Sequence, residues 1–285
     1  MRLNDLSRRA ALFGGLAGTL GGCSPADLLN AAAPLRLAAR NIPFGPDPRQ
    51  RLDVYAPPGE PAGAPVLAFL YGGGWKDGRK EIYRFLGGAY ADAGYVVVVP
   101  DYRLYPGVRY PAFLEDCAAG CAWAHAHAAE YGGDARQLFL MGHSAGAYNA
   151  AMLALDERWL AGAGMSRRDL AGWLGLAGPY DFLPMGEDIE PIFAGADPAG
   201  TQPINYVDAS APPAMLATGL ADEVVKPGNT KRLAARIRTV RRTVMEHEYR
   251  GIGHEELIGA VALPLRFLAP VFRDSLDFMR GRTSG

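Results

Sequence analysis

Short, mostly apolar runs recur along the chain at 52–55, 66–70, 95–99, 138–141, 173–176, 214–218 and 244–249. Runs of this length read as buried strands, because a helix needs ten or more residues to show its period. Between them lie stretches with helical spacing or high alanine content, at 81–93, 111–131, 147–155, 230–239 and 265–280. Strands alternating with helices predict an α/β fold with a mostly parallel sheet, and right-handed crossovers put helices on both of its faces.

Two regions fall outside that alternation. Residues 34–65 are rich in proline and glycine around the first strand, and 179–213 holds many prolines with little periodicity. A loop as long as the second, inside a compact domain, is either functional or disordered. Its place between two strands puts it over their C-terminal ends, where open parallel sheets bind ligands. It is expected to form a short lid or pocket wall. The chain then divides into an export segment at 1–23, a linker at 24–40 and one α/β domain at 41–280.

Composition narrows the function classes. Basic and acidic side chains number 29 and 30, for a formal charge of -1, so no basic surplus exists to neutralise phosphates and nucleic-acid binding is not expected. The first 23 residues carry a basic start, Ser7-Arg8-Arg9, an apolar stretch from 10 to 20, and Leu20-Gly21-Gly22-Cys23. That stretch is too short to span a bilayer but suits an export signal, with twin-arginine character. The residues before Cys23 resemble the lipobox of bacterial lipoproteins, which implies lipidation of Cys23, a cell-envelope location and membrane contact through that anchor only. Cys23→Ala should then release the protein from the membrane fraction, and unchanged fractionation would count against an anchor. Cys117 and Cys121, four apart on a predicted helix, are read as core residues, since a disulfide along one helix would be strained. His125 and His127 point to different helix faces, and neither a metal nor a cofactor is expected.

The chemistry begins at Gly142-His143-Ser144-Ala145-Gly146, between a predicted strand and a predicted helix. Such a pentapeptide would arise by chance about 0.1 times in a chain of this composition. Its setting makes it a nucleophile elbow, in which a sharp turn lifts the serine clear of the backbone and leaves no room for side chains two residues away. A serine hydroxyl needs a base, and the base needs an acid to orient it. In such hydrolases acid and base follow the serine in that order. Only His247 and His254 come later; His247 lies in a strand, whereas His254 sits in the Gly-flanked loop "GIGHEEL". Asp222, just past the apolar run "AMLAT", is the preferred acid, with Glu223, Asp208 and Asp181 as other carboxylates nearby. The loop "YGGGW" at 71–75 follows a strand, and its glycines allow backbone N–H groups to turn toward a developing oxyanion.

With "YGGGW", "VVVVPDYRLYP", "YPAFLEDC", "GHSAGAYNA", "GPYDF", "ATGLADEVV" and "GIGH" in place, the chain resembles the α/β-hydrolase superfamily from about residue 41 to 278. Within it the likeness is to hormone-sensitive-lipase-like and acetyl-esterase-like carboxylesterases, including the feruloyl-esterase-like and kynurenine-formamidase-like branch. The resemblance implies Ser144 as nucleophile, Asp222 as acid, His254 as base, and the backbone of Gly73, Gly74 and Ala145 as oxyanion donors. It also implies structural ion pairs for Asp101 and Arg103 and a structural place for Asp116. Trp75, Tyr148, Tyr180 and Phe182 are candidate pocket walls. One departure stands out: Tyr71 replaces a histidine that braces the glycine loop in those relatives, and its hydroxyl is expected to take over the bracing.

Three functional readings follow. The first is hydrolysis of small carboxylic esters through an acyl-enzyme, without a cofactor. The second keeps the fold and makes the scissile bond an amide, as in an arylformamidase or small peptidase. The third is a non-catalytic envelope lipoprotein. Oligomeric state is not legible in the sequence.

Overall fold

The computed structural model describes residues 24–59 and 62–283. The expected export segment, Cys23 included, lies outside them. Among the described residues eight strands form one sheet: β1 (Leu37–Pro43), β2 (Arg51–Tyr55), β3 (Ala64–Leu70), β4 (Val96–Pro100), β5 (Gly133–His143), β6 (Leu170–Leu176), β7 (Ala214–Gly219) and β8 (Val244–Tyr249). Across the sheet they run β1-β2-β4-β3-β5-β6-β7-β8. Only β2 is reversed, pairing antiparallel with β1 and β4, and every other pairing is parallel. The helices are α1 (Pro25–Ala31), α2 (Arg84–Asp92), α3 (Ala112–His127), α4 (Ala145–Leu155), α5 (Glu157–Gly162), α6 (Gly228–Thr239), α7 (His254–Gly259) and α8 (Val271–Thr283).

The uniformly apolar strands are those buried on both faces. Val66 to Leu70 in β3, Val96 to Val99 in β4 and Leu138 to Met141 in β5 are all buried, whereas edge strand β1 is largely exposed. Each fully buried Val or Leu contributes about 1.5–3 kcal/mol through loss of apolar surface to water. Two helical layers supply the cover. Tyr90 of α2 packs on Phe272 of α8, ring centroids 5.0 Å apart, and shares a 2.6 Å hydrogen bond with Ser275. In the other layer, Asn149 of α4 donates to Cys117 Sγ of α3 at 3.4 Å. Cys117 and Cys121 are free and buried, as expected of core residues.

Several boundaries differ from the expectation, each for a physical reason. The stretch 24–40, expected as a linker, contains α1 and the start of β1. β1 is an exposed edge strand, so it lacks the apolar run that marks the central ones. The helix expected over 265–280 begins only at Val271, because Pro270 lacks the N–H a helix interior uses and disfavours helix at the residue before it. The one expected over 81–93 opens as a 3₁₀ turn, Lys80–Tyr83, before α2.

Lys80 is 2% exposed and holds that turn in place. Its ammonium lies 3.3 Å from Asp53 and 3.9 Å from Asp101 and donates to Asn41 at 2.6 Å. Burying that charge is tolerable because opposite charges and a hydrogen-bond acceptor surround it. Asp101 and Arg103 do form ion pairs, but separate ones. Asp101 pairs with Lys80 and with Arg49 at 4.0 Å, while Arg103 grips Asp116 at 2.7 Å.

Candidate active site

Four segments meet at the C-terminal edge of the parallel strands. Tyr71 to Trp75 follows β3, Ser144 follows β5, Asp222 lies three residues past β7, and His254 five past β8. Brought together from 110 residues apart in the chain, His254 Nε2 stands 2.8 Å from Ser144 Oγ. His254 Nδ1 lies 2.7 Å from Asp222 Oδ2. His247 does not join them; its ring stacks on Tyr249 and faces Asp274 at 3.6 Å.

The elbow is built by close approach. Ser144 has φ of 56°, a left-handed backbone that costs a non-glycine residue about 1–3 kcal/mol. A side chain at Gly142 would come within 2.1 Å of Gly146 O, and one at Gly146 within 2.0 Å of Leu70 O. Only glycine fits either place. The N–H of Ser144 donates to Leu176 O of β6 at 2.9 Å, which ties the strained residue to the sheet. Ala145 opens α4, so its N–H has no acceptor within the helix and stays available beside Ser144.

Asp222 is 3% exposed, and its Oδ1 accepts from the N–H groups of Val224 at 2.9 Å and Val225 at 2.8 Å. Burial alone pushes its carboxyl up, but the hydrogen bonds from His254 and from Val225 and Val224 outweigh it and hold the group below its usual range. The carboxylate is therefore charged when it meets His254 Nδ1. The loops carrying Asp222 and His254 are also joined directly, through Ala221 N–H donating to Ile252 O at 3.0 Å.

His254 is not in a loop, as expected, but is the first residue of α7. Two groups that the sequence reading passed over fix it there. Glu256 accepts from the N–H of Gly253 at 2.6 Å, and His143 Nε2 donates to His254 O at 3.1 Å. The rings of His143 and His254 are 4.8 Å apart. Burial drives the His143 ring down to about 3, with the His254 ring adding to the effect, so it stays neutral beside His254. Little in the local sequence marks these two. Glu three residues after a small residue at a helix start is a weak capping signal, and His143 gains its partner only from the fold.

The glycine loop passes directly over the serine, with Gly72 so close that a side chain there would lie 2.9 Å from Ser144 Cβ. Gly73, Gly74 and Trp75 have φ of 127°, 59° and 59° in succession. Gly73 and Gly74 are exposed, and neither N–H donates to a backbone acceptor among the described residues. Tyr71 braces this loop indirectly. Its hydroxyl donates to Asp101 at 2.8 Å and accepts from Arg49 Nη2 at 3.0 Å, and that same nitrogen donates to Gly78 O at 2.9 Å.

Of the four aromatic residues expected to wall a pocket, Phe182 alone is partly exposed. Tyr180 belongs to the core: it packs on Trp173 and lies over β6 where Gly175 leaves room, since a side chain there would meet its hydroxyl at 2.1 Å. Trp75 and Tyr148 are buried and meet edge to face at 5.1 Å. Phe193, not singled out in the sequence, completes the cluster at 5.1 Å from Trp75 and 5.9 Å from Phe182. It comes from 179–213, which packs as a wall through three 3₁₀ turns (Glu190–Ile192, Ala199–Thr201 and Pro203–Tyr206). Tyr148 donates to Thr201 O at 2.9 Å, Phe182 N–H to Gln202 at 2.7 Å, and Lys76 to Asp188 O. Tyr148 lies one helical turn past Ser144, so this apolar cluster begins beside that serine.

Comparison with known proteins shows which proteins this chain is similar to. The BD-FAE family model matches residues 52–237. A probable isoprenylcysteine alpha-carbonyl methylesterase from Arabidopsis thaliana is 35% identical over 149 residues, covering 50% of this chain and 31% of that protein. Esterase LipC from Mycobacterium tuberculosis is 30% identical over 243 residues, covering 75% and 59%. The chain thus spans about a third of the length of the methylesterases it matches. Among solved structures, esterase B from Lactobacillus rhamnosis superposes with a TM-score of 0.77 at 20% identity, covering 98% of this chain and 94% of that one. A truncated carbohydrate esterase from gut microbiota gives 0.76 at 18% identity, over 89% and 100%. At such identities these structures establish the shared fold.

Proposed function

This chain belongs to the BD-FAE family of α/β-hydrolases, and on that premise we propose that it hydrolyses carboxylic esters of small substrates through an acyl-enzyme on Ser144. The observation that carries the reading is the unbroken relay from Asp222 through His254 to Ser144 Oγ, at 2.7 and 2.8 Å. Charged Asp222 holds the proton of His254 on Nδ1, which leaves the Nε2 lone pair facing the serine hydroxyl. As Oγ attacks the ester carbonyl, its proton passes to Nε2, and the carbonyl oxygen gains the negative charge. The N–H groups of Gly73, Gly74 and Ala145 are the donors for that charge. When the tetrahedral centre collapses, the C–O bond to the alcohol breaks and Nε2 returns the proton to the departing oxygen. Water then repeats the sequence on the acyl-enzyme, with His254 as base, and frees the acid.

The relatives named as esterases support the ester over other acyl bonds. The packed aromatic wall of Tyr148, Phe182 and Phe193 supports short acyl groups, because a long chain would have to displace buried rings. On p-nitrophenyl esters, kcat/KM is expected to be highest for acetate to butyrate and to fall at least about tenfold by octanoate. N-formylkynurenine should be the poorer substrate. A clear preference for that formamide would replace the ester reading with the amide one.

A further inference from the structure

We propose that Asn149 is a positioning residue for the oxyanion loop, holding the Gly73-Gly74-Trp75 turn over Ser144 through a hydrogen bond from the Trp75 indole. The inference rests on the ester-hydrolase reading and adds a residue to its machinery. Asn149 is 0% exposed in a helix whose every residue is buried, and it is the one polar amide in that alanine-rich stretch. A buried amide is costly unless its hydrogen bonds are made, and here both ends are used. Its Oδ1 accepts from Trp75 Nε1 at 3.0 Å, and its Nδ2 donates to Cys117 Sγ at 3.4 Å.

The turn needs that hold. Three successive left-handed residues ending in a tryptophan form a conformation that an isolated chain rarely adopts, so surrounding contacts must impose it. Trp75 is gripped at both ends: its carbonyl accepts from Tyr105 N–H at 2.8 Å, and its indole is clamped between Phe113, Tyr148 and Phe193 with Asn149 at its N–H. Asn149 stands five residues after Ser144 on α4. One helix therefore carries the nucleophile, the Ala145 N–H and the anchor of the loop that presents Gly73 and Gly74. Apolar packing alone would keep Trp75 buried yet leave its rotation about the ring axis, and with it the direction of the glycine N–H groups, less tightly set.

The test compares Trp75→Phe, Asn149→Leu and the double variant in the full chain. For each, kcat and KM are measured on p-nitrophenyl acetate, with the inhibition constant of a trifluoromethyl ketone, whose tetrahedral adduct places an oxyanion where the ester's would be. Each single variant is expected to lower kcat about tenfold with KM within about twofold, and to weaken the ketone by the same factor. The double variant should be no worse than the poorer single one, because both remove the same Trp75–Asn149 hydrogen bond. Effects that multiply in the double variant, a loss confined to KM, or unchanged ketone binding would overturn the proposal. If Asn149→Leu does not fold, Trp75→Phe decides alone, since it removes the donor and keeps an aromatic ring. Ser144→Ala separates the two levels: hydrolysis near the wild-type rate there defeats the site reading, while its loss beside a fully active Trp75→Phe defeats only the brace.

Discussion

Replacing Ser144 by alanine is expected to lower kcat for p-nitrophenyl acetate by about 10⁵–10⁶-fold while leaving the fold intact. Alanine fits the same left-handed backbone at φ 56° about as well as serine, so the elbow and the N–H of Ala145 remain in place. What disappears is the hydroxyl aligned with His254 Nε2, at 2.8 Å. The oxyanion donors can still polarise an ester for attack by water, and a residual acceleration of about 10³-fold should survive. Two measurements check this: kcat, and covalent labelling by a fluorophosphonate probe. Labelling of the variant at the wild-type rate would place the nucleophile elsewhere, and no labelling of the wild type would revive a non-catalytic role.

Asp222→Asn is expected to cost about 10⁴-fold in kcat with little change in the active-site geometry. The amide oxygen can go on accepting from Val224 and Val225, which leaves its NH₂ pointed at His254 Nδ1. That reverses the imidazole. Nδ1 becomes the acceptor, the proton moves to Nε2, and the ring can no longer take the proton of Ser144. A variant retaining more than a tenth of wild-type kcat would show that another carboxylate orients the base. The same carboxyl makes stability depend on pH. Its folded value lies below the ordinary 3.8, despite burial, because of the hydrogen bonds it accepts. Its stabilising contribution is therefore fully present above 3.8 and is lost as pH falls through the lowered value. The Tm advantage of wild type over Asp222→Asn should be larger at about pH 6 than at about pH 2.5, and an equal gap at both would contradict this assignment.

The residues of the candidate site were more legible along the chain than the architecture that supports them. Ser144, Asp222 and His254 each carry local signs: glycines two residues either side, an apolar run ending just before, a Gly-flanked loop after a strand. Strand–helix alternation located the C-terminal edge where all three meet. Edge strand β1 and helix α1 were less visible, because neither is buried enough to need an apolar pattern. Tyr180 shows the opposite failure. Its place in the 179–213 segment suggested a pocket wall, yet Gly175 beneath it opened a core site that only a packed sheet can define.

What the residues determined by themselves was the candidate set, Ser144, Asp222 and His254, and its order, since each follows the C-terminal end of a strand in one parallel sheet and short-range sequence records strand ends. What only the tertiary structure decided was how those groups are held. His143 reaches the His254 carbonyl across 111 residues, Trp75 reaches Asn149 across 74, and Tyr71 reaches Asp101 across 30. Such bonds have no period and no flanking signature. They exist because buried donors and acceptors must find partners wherever the packed chain puts them, and that choice is made by the fold as a whole.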